Sequence, residues 1–266
     1  MRAVSSPTCA QRWPSAPTRR TGSRTWSRFK LLSDVLSLSP EEVTAVRLSL
    51  RIAAMATIAS LPFGIAAAYA VARWRFPGRA LLDGLIHLPL VLPPVVTGFL
   101  LLLLLGRKGV LGAFLADHFG IVFSFRWTGA ALAAAVMGFP LMVRAIRLSI
   151  ESVDRRLEAA SGTLGAPPLA TFFLITLPLA FPGIVVGSIL SFAKALGEFG
   201  ATITFVSNIP GETQTISALI YTNTQVPGGD AGAMRLMLVS TVIAFAALLV
   251  SELVQRRARR RLSLVP

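Results

Sequence analysis

From residue 39 onward, long apolar runs alternate with short polar interruptions. The first run opens with "SPEE". Ser39 suits a helix N-cap, Pro40 the first helical position, and Glu42 completes a capping box, in which cap side chain and carboxylate satisfy each other's free backbone N–H. The helix so predicted runs through "LSLRIAAMATIASLPFGIAAAYAVA" and ends at "RWRFPGR", where Pro77-Gly78 makes a turn. Four further runs cover about 82–105, 129–150, 182–206 and 231–254. Each is near or above the roughly 20 apolar residues that cross a hydrocarbon core of ~30 Å. The pattern therefore predicts an all-α, polytopic membrane protein with about five transmembrane helices. The segment "TISALIYT", 215–222, is too short to cross and reads as an interfacial or re-entrant helix.

Composition supports the bilayer as solvent. Of 266 residues, 54% are hydrophobic and 14% charged, and the mean hydropathy is +0.68. A soluble domain needs more polar surface. The formal charge of +14 then reads as basic residues at a membrane face rather than a nucleic-acid interface, for which the chain is too rich in Leu, Ala and Val. Chemistry is sparse. Cys9 is the single cysteine, and His87 and His118 lack metal-ligand spacing, so no metal, cofactor or catalytic residue is expected. No phosphate-binding G-x-x-x-x-G-K-[ST] loop occurs, since "GRKG" at 106–109 lacks the Lys-Ser/Thr order. An intramembrane enzyme would need a nucleophile and base, yet His87 is the one histidine within a run and no G-x-S-x-G accompanies it.

Lys and Arg set the orientation. Arg73, Arg75, Arg79, Arg144, Arg147, Arg155, Arg156 and "RRARRR" at 256–261 fall on one side; Arg107, Lys108 and Arg126 fall on the other. The positive-inside rule places the first group, and the C-terminus, in the cytoplasm. Five spans then put the N-terminus outside. Residues 1–38 are basic and without an apolar run, and are expected to be a disordered extension that binds lipid headgroups, is unstructured, or reflects a start assigned too far upstream. The expected organisation is this extension, a membrane domain over 39–255, and a basic cytoplasmic tail over 256–266.

This topology makes 151–178 the longest cytoplasmic loop, and its sequence is patterned. "SVDRRLEAASGTL" suits a short amphipathic helix with Leu157, Ala160 and Leu164 on one face. Gly165 suits the left-handed end of that helix, and Pro167-Pro168 the start of a second, "LATFFLITL". Pro178 and Pro182 mark where the fourth span begins. Such a protrusion fits a partner's groove or lies on the inner leaflet; the pattern alone allows both.

The stretch "LEAASGTLGAPPLATFFLITLP", 157–178, resembles the EAA loop of bacterial ABC-transporter permeases. Gly165, Ile175, Leu177 and Pro178 match its Gly, nine residues, I-x-L-P spacing. The front end departs: Glu158 lies one residue too far from the Gly, and Ala159 stands at the Glu position. The resemblance implies a coupling helix that docks into a separate ATPase subunit, with Leu157, Glu158, Ala159, Ala160, Leu164, Gly165, Ile175, Leu177 and Pro178 as its residues.

Two other features bear on a solute path. Lys194 and Glu198, four apart in the fourth run, are placed to pair on one helical face, either lining a path or tying helices together. Pro89, Pro93 and Pro94 predict a kinked second span. The stretches "FPGRALLDGLIHLPLVLPPVVTGFLLL", "AAAVMGFPLMVRAIRLSIESVD" and "LGEFGATITFVSNIPGETQTI" resemble molybdate ABC-transporter permeases, the "GEFGA" element being shared with sulfate/thiosulfate permeases. That resemblance implies a permease homodimer in the bacterial inner membrane, two ATPase subunits and an extracytoplasmic molybdate-binding protein. Tungstate or sulfate permeases and a passive channel are the alternatives.

Overall fold

The computed structural model describes residues 37–262, and for 257–262 the backbone alone. The basic extension expected before residue 37 and the tail residues 263–266 lie outside the described residues.

Helix α1 (Pro40–Arg73) starts as its capping box requires: Ser39 Oγ accepts from Glu42 N at 3.2 Å, and Glu42 Oε2 accepts from Ser39 N at 2.8 Å. The other helices are α2 (Arg79–Val91), α3 (Pro94–Leu105), α4 (Val110–Phe119), α5 (Trp127–Glu151), α6 (Arg155–Thr163), α7 (Pro168–Thr171), α8 (Leu177–Leu196), α9 (Gly200–Val206), α10 (Ile216–Gln225) and α11 (Asp230–Leu262). Among the described residues, four stretches are long and apolar enough to cross a membrane: α1, α5, Pro168–Leu196 and Asp230–Arg256. The pair α2 and α3 meets the same criterion only when taken together as one bent unit.

That pair corrects the second predicted span. It is broken rather than kinked, with a 115° bend between α2 and α3. A residue before proline is driven out of the helical region by the ring's Cδ. Two prolines in succession apply this twice: Leu92 sits at φ −71, ψ 142 and Pro93 at φ −54, ψ 135, both extended. Pro94 then opens α3 at its first position, where its missing N–H costs nothing.

The fourth predicted span shifts toward the N-terminus. Its helix begins at Pro168, long before Pro178 and Pro182, and ends at Leu196. A π-helical turn, Phe172–Thr176, makes the continuity possible. Leu177 N donates back to Phe172 O, and the widened turn relieves the clash that the Pro178 ring would make with the preceding turn. Gly197 ends the helix, and α9 is a separate short element. Helix α10 is short, as expected, and its first N–H is satisfied by Ser49 Oγ of α1 at 2.8 Å. Helix α11 continues past the predicted end of the fifth span into the basic segment.

Helix α5 packs chiefly on α8 and α1. Small residues set the spacing: a Cβ on Gly187 would lie 2.9 Å from Met142 O, and one on Gly138 2.6 Å from Ser191 Oγ. Two apolar clusters stack along the bundle. One joins the N-terminal halves of α1 and α5 to the C-terminal end of α8, with α9 and α10; the other joins the C-terminal halves of α1 and α5 to the start of α8. Helices α1 and α5 therefore run parallel and α8 antiparallel. Arg73, the 152–167 connection and the start of α8 share one end of the bundle. Outward faces of α2, α3 and α11 carry exposed Leu, Val and Phe.

At the opposite end, two arginines on the helices have partners. Arg235 of α11 grips Glu42 of α1 through Nη2 to Oε1 at 2.8 Å and Nε to both oxygens at 3.1 and 3.2 Å. Arg51 lies 3.8 Å over the Trp127 ring.

Candidate functional site

The segment after α5 is a protruding helical hairpin. Asp154 caps α6, its carboxylate accepting from Arg156 N at 2.9 Å. Leu164 closes the helix, and Gly165 turns the chain at φ +82, in the left-handed region that glycine enters without Cβ strain. Pro167 caps α7 and Pro168 takes its first position. The α6 and Gly165 readings from sequence hold; the second helix differs, since "LATFFLITL" is the beginning of the membrane span itself.

No residue of α6 is buried. A nine-residue helix without packing is marginal in water, so side-chain ties must hold it. Glu158 Oε1 accepts from Arg73 Nη2 at 2.9 Å and Nε at 3.1 Å, and from Thr176 Oγ1 at 2.8 Å. Arg73 Nη2 also donates to Val153 O at 3.1 Å. Ser161 and Thr171 hydroxyls meet at 3.0 Å across the hairpin. The Arg73 and Glu158 side chains are 8% and 19% exposed, so the pair is shielded from screening. One carboxylate thus links α6 to the last turn of α1 and to the π turn that leads into α8.

The outward face is apolar. Leu164 is 88% exposed, Leu169 73% and Leu157 48%, with Ala159 and Ala160 exposed beside them. Leu177 packs on the second core cluster and Ile175 is half-buried, so these anchor the hairpin, while Pro178 is exposed. Sequence reasoning placed Leu157, Ala160 and Leu164 together but missed Arg73 and Thr176. Their signal was faint: an arginine in the last turn of the preceding span, and the unspecified position of I-x-L-P.

Lys194 and Glu198 do pair, Nζ to Oε2 at 2.9 Å. They do not share a helix, because Glu198 follows the α8 cap. Its other oxygen accepts from Ala201 N at 3.0 Å, so the buried carboxylate, 2% exposed, caps α9 as well. The pair sits beside the break of the second span: a Cβ on Gly98 of α3 would lie 2.5 Å from Ala201 O, and one on Gly200 2.8 Å from Pro94 Cβ. His87 of α2 contacts Asp83 O at 2.8 Å, and Asp83 pairs with Arg147 of α5 at 3.0 Å, so this histidine belongs to an inter-helix contact.

At one end the membrane-spanning bundle thus holds a helical hairpin with an exposed apolar face. The chain belongs to the family described as the binding-protein-dependent transport system inner membrane component, which matches residues 60–264. It is accordingly a multi-pass inner-membrane transport permease. It is 58% identical over 224 residues to the molybdenum transport system permease protein ModB of Escherichia coli strain K12, covering 84% of this chain and 98% of that protein. The corresponding protein of Haemophilus influenzae is 51% identical, over 83% and 96%. The sulfate transport system permease protein CysT of Salmonella typhimurium is 34% identical, over 92% and 87%. Among solved structures, a bacterial alginate ABC transporter in complex with an alginate pentasaccharide-bound periplasmic protein matches with a TM-score of 0.68 at 18% identity, over 86% of this chain and 83% of that one, which is a likeness of fold.

Proposed function

We propose that this chain is the permease of an ATP-driven molybdate importer. The observation that carries the reading is 58% identity along 98% of a molybdenum transport permease, against 34% for a sulfate relative. A sulfate or tungstate permease on the same fold is the alternative. Oxyanion uptake by cells lacking their own permease separates them: this chain restores molybdate accumulation and leaves sulfate-limited growth unrescued. Rescue of sulfate growth alone overturns the molybdate reading.

The partners follow from the hairpin. Its face of Leu157, Ala160, Leu164 and Leu169 is the docking surface for an ATPase subunit, and two copies of the chain present two such surfaces to an ATPase dimer. The chain carries no phosphate loop, so hydrolysis belongs to that partner. The hairpin end, with Arg73, Arg144, Arg147, Arg155 and Arg156, is cytoplasmic. The extracytoplasmic binding protein docks at the other end, near 106–128 and 207–230, as a periplasmic protein is present in the alginate neighbour.

The mechanism is alternating access. Closure of the ATPase dimer displaces the hairpin, and the Glu158 clamp passes that displacement to α1 through Arg73 and to α8 through Thr176. The broken second span packs against α9, and the Lys194–Glu198 pair lies at that junction, where a shift of α8 opens or closes a polar route. In Glu198→Gln, substrate-dependent uptake falls while assembly with the ATPase persists; unchanged uptake would make the pair a helix tie alone.

A further inference from the structure

A cleft of about 680 Å³ lies between α5, α8 and the C-terminal part of α11, at the hairpin end of the bundle. Its walls are apolar: Leu141 and Leu148 from α5, and Leu179, Val186 and Leu190 from α8. Its polar groups are few: Arg144, Ser149, Ser152 and Gln255. Among the described residues no carboxylate lines it. Arg144 has neither ion pair nor hydrogen bond among the described residues. Its neighbour Arg147, by contrast, is held by Asp83 at 3.0 Å and Glu151 at 2.8 Å, in an adjoining cavity that Arg144 and Leu148 also border.

The dimensions are those of one leaflet. Leu141 lies eleven positions before Ser152, the residue that caps α5, and Leu190 lies eleven positions after Leu179 in α8. At 1.5 Å per residue each wall is about 16 Å long, and half of a ~30 Å hydrocarbon core is about 15 Å. Polar groups gather at the helix ends, and the apolar walls run inward. Arg144 lies about two turns inside the end of α5, a depth from which a long arginine snorkels to the headgroup level.

We infer that this cleft binds an anionic phospholipid, with an acyl chain along α5 and α8 and its phosphate at Arg144. Arg144 is exposed, and a guanidinium at headgroup level attracts an anion, while an apolar wall of leaflet length suits an acyl chain. A free oxyanion meets the first requirement and not the second; a partner helix meets the second and leaves Arg144 unpaired. The site depends on the membrane fold and not on which solute is carried.

The test is photo-labelling of the full-length protein in phosphatidylcholine nanodiscs with trace phosphatidylglycerol bearing a diazirine in its acyl chain. Labelled peptides are expected within 141–152 and 179–190. Unlabelled phosphatidylglycerol competes, and millimolar inorganic phosphate does not. Arg144→Ala lowers labelling about fivefold, the loss of one basic contact to an anionic headgroup, and Arg144→Lys keeps most of it. Leu148→Trp, which fills the cleft from an exposed position, also lowers labelling without touching the charge. Labelling by a phosphatidylcholine probe equal to that by phosphatidylglycerol, or insensitive to Arg144→Ala, would overturn the proposal. So would competition by phosphate, which identifies a free-anion site, or disulfide cross-linking of two chains through Leu148→Cys, which identifies a second copy as the occupant.

Discussion

Leu164→Asp separates docking from folding. The side chain is 88% exposed in the free chain, so the isolated protein loses almost no packing when it is replaced. Substitutions at such positions usually alter stability within about ±0.5 kcal/mol. Docking changes the balance, because a leucine that becomes fully buried in a partner's groove contributes about 1.5–3 kcal/mol. Asp forfeits that contribution and adds a carboxylate to be desolvated. Taking about 2 kcal/mol as a conservative loss, ATPase affinity falls roughly 30-fold. The assay has two arms: titration of labelled ATPase subunit against the permease in nanodiscs, and thermal unfolding of the permease alone. The expected result is a rightward shift of the binding curve with an unchanged melting temperature. Affinity within threefold of the parent refutes the docking assignment, and a large fall in melting temperature refutes the claim that this leucine is idle in the free protein.

Further substitutions test the hairpin turn, the clamp and the helix spacing. At Gly165 an added Cβ meets no atom within 4 Å, so any cost is conformational: Gly165→Ala loses about 1–2 kcal/mol, Asn is milder, and Pro, whose ring cannot reach φ +82, is worst, as read by ATPase co-purification in that order. For the clamp, Glu158→Ala removes hydrogen bonds to a charged acceptor worth about 1.5–3 kcal/mol each. Amide exchange over 155–176 should rise tenfold or more, and the double variant with Arg73→Ala should cost less than the sum; additivity within about 0.5 kcal/mol refutes the coupling. Gly98→Ala pushes a Cβ to 2.5 Å from Ala201 O and should destabilise by about 1–3 kcal/mol in thermal unfolding, whereas Gly84→Ala on α2, with nothing within 4 Å, should be neutral or stabilising.

These contrasts show which features were legible in one dimension. The start of α1, the left-handed Gly165 and the apolar stripe of α6 depend on neighbours within a few residues, and such local rules can be read from order alone. The course of the fourth span could not be read so well. Two prolines in "TLPLAFPG" looked like a boundary, but a π turn just before the first absorbs its missing donor, and the helix continues. Glu158 shows the same limit more sharply. By register it is one residue out of place, yet its partners lie 85 and 18 residues away, where no local spacing rule reaches.

By itself the sequence determined that the chain crosses a membrane about five times, where each apolar run lies, which end is basic, and that a patterned polar loop interrupts the runs. Those follow from hydrophobic length, charge bias and turn chemistry, which are additive along the chain. Tertiary structure decided the rest: that the second span breaks by 115° against α9, that Glu158 faces inward to Arg73 and Thr176, and that Arg144 is left unpaired beside an apolar cleft while Arg147, three residues on, is neutralised. The physical reason is common to all of them. Whether a buried or membrane-level polar group is satisfied depends on atoms that other helices bring within about 3 Å, and only the packed bundle specifies which atoms those are.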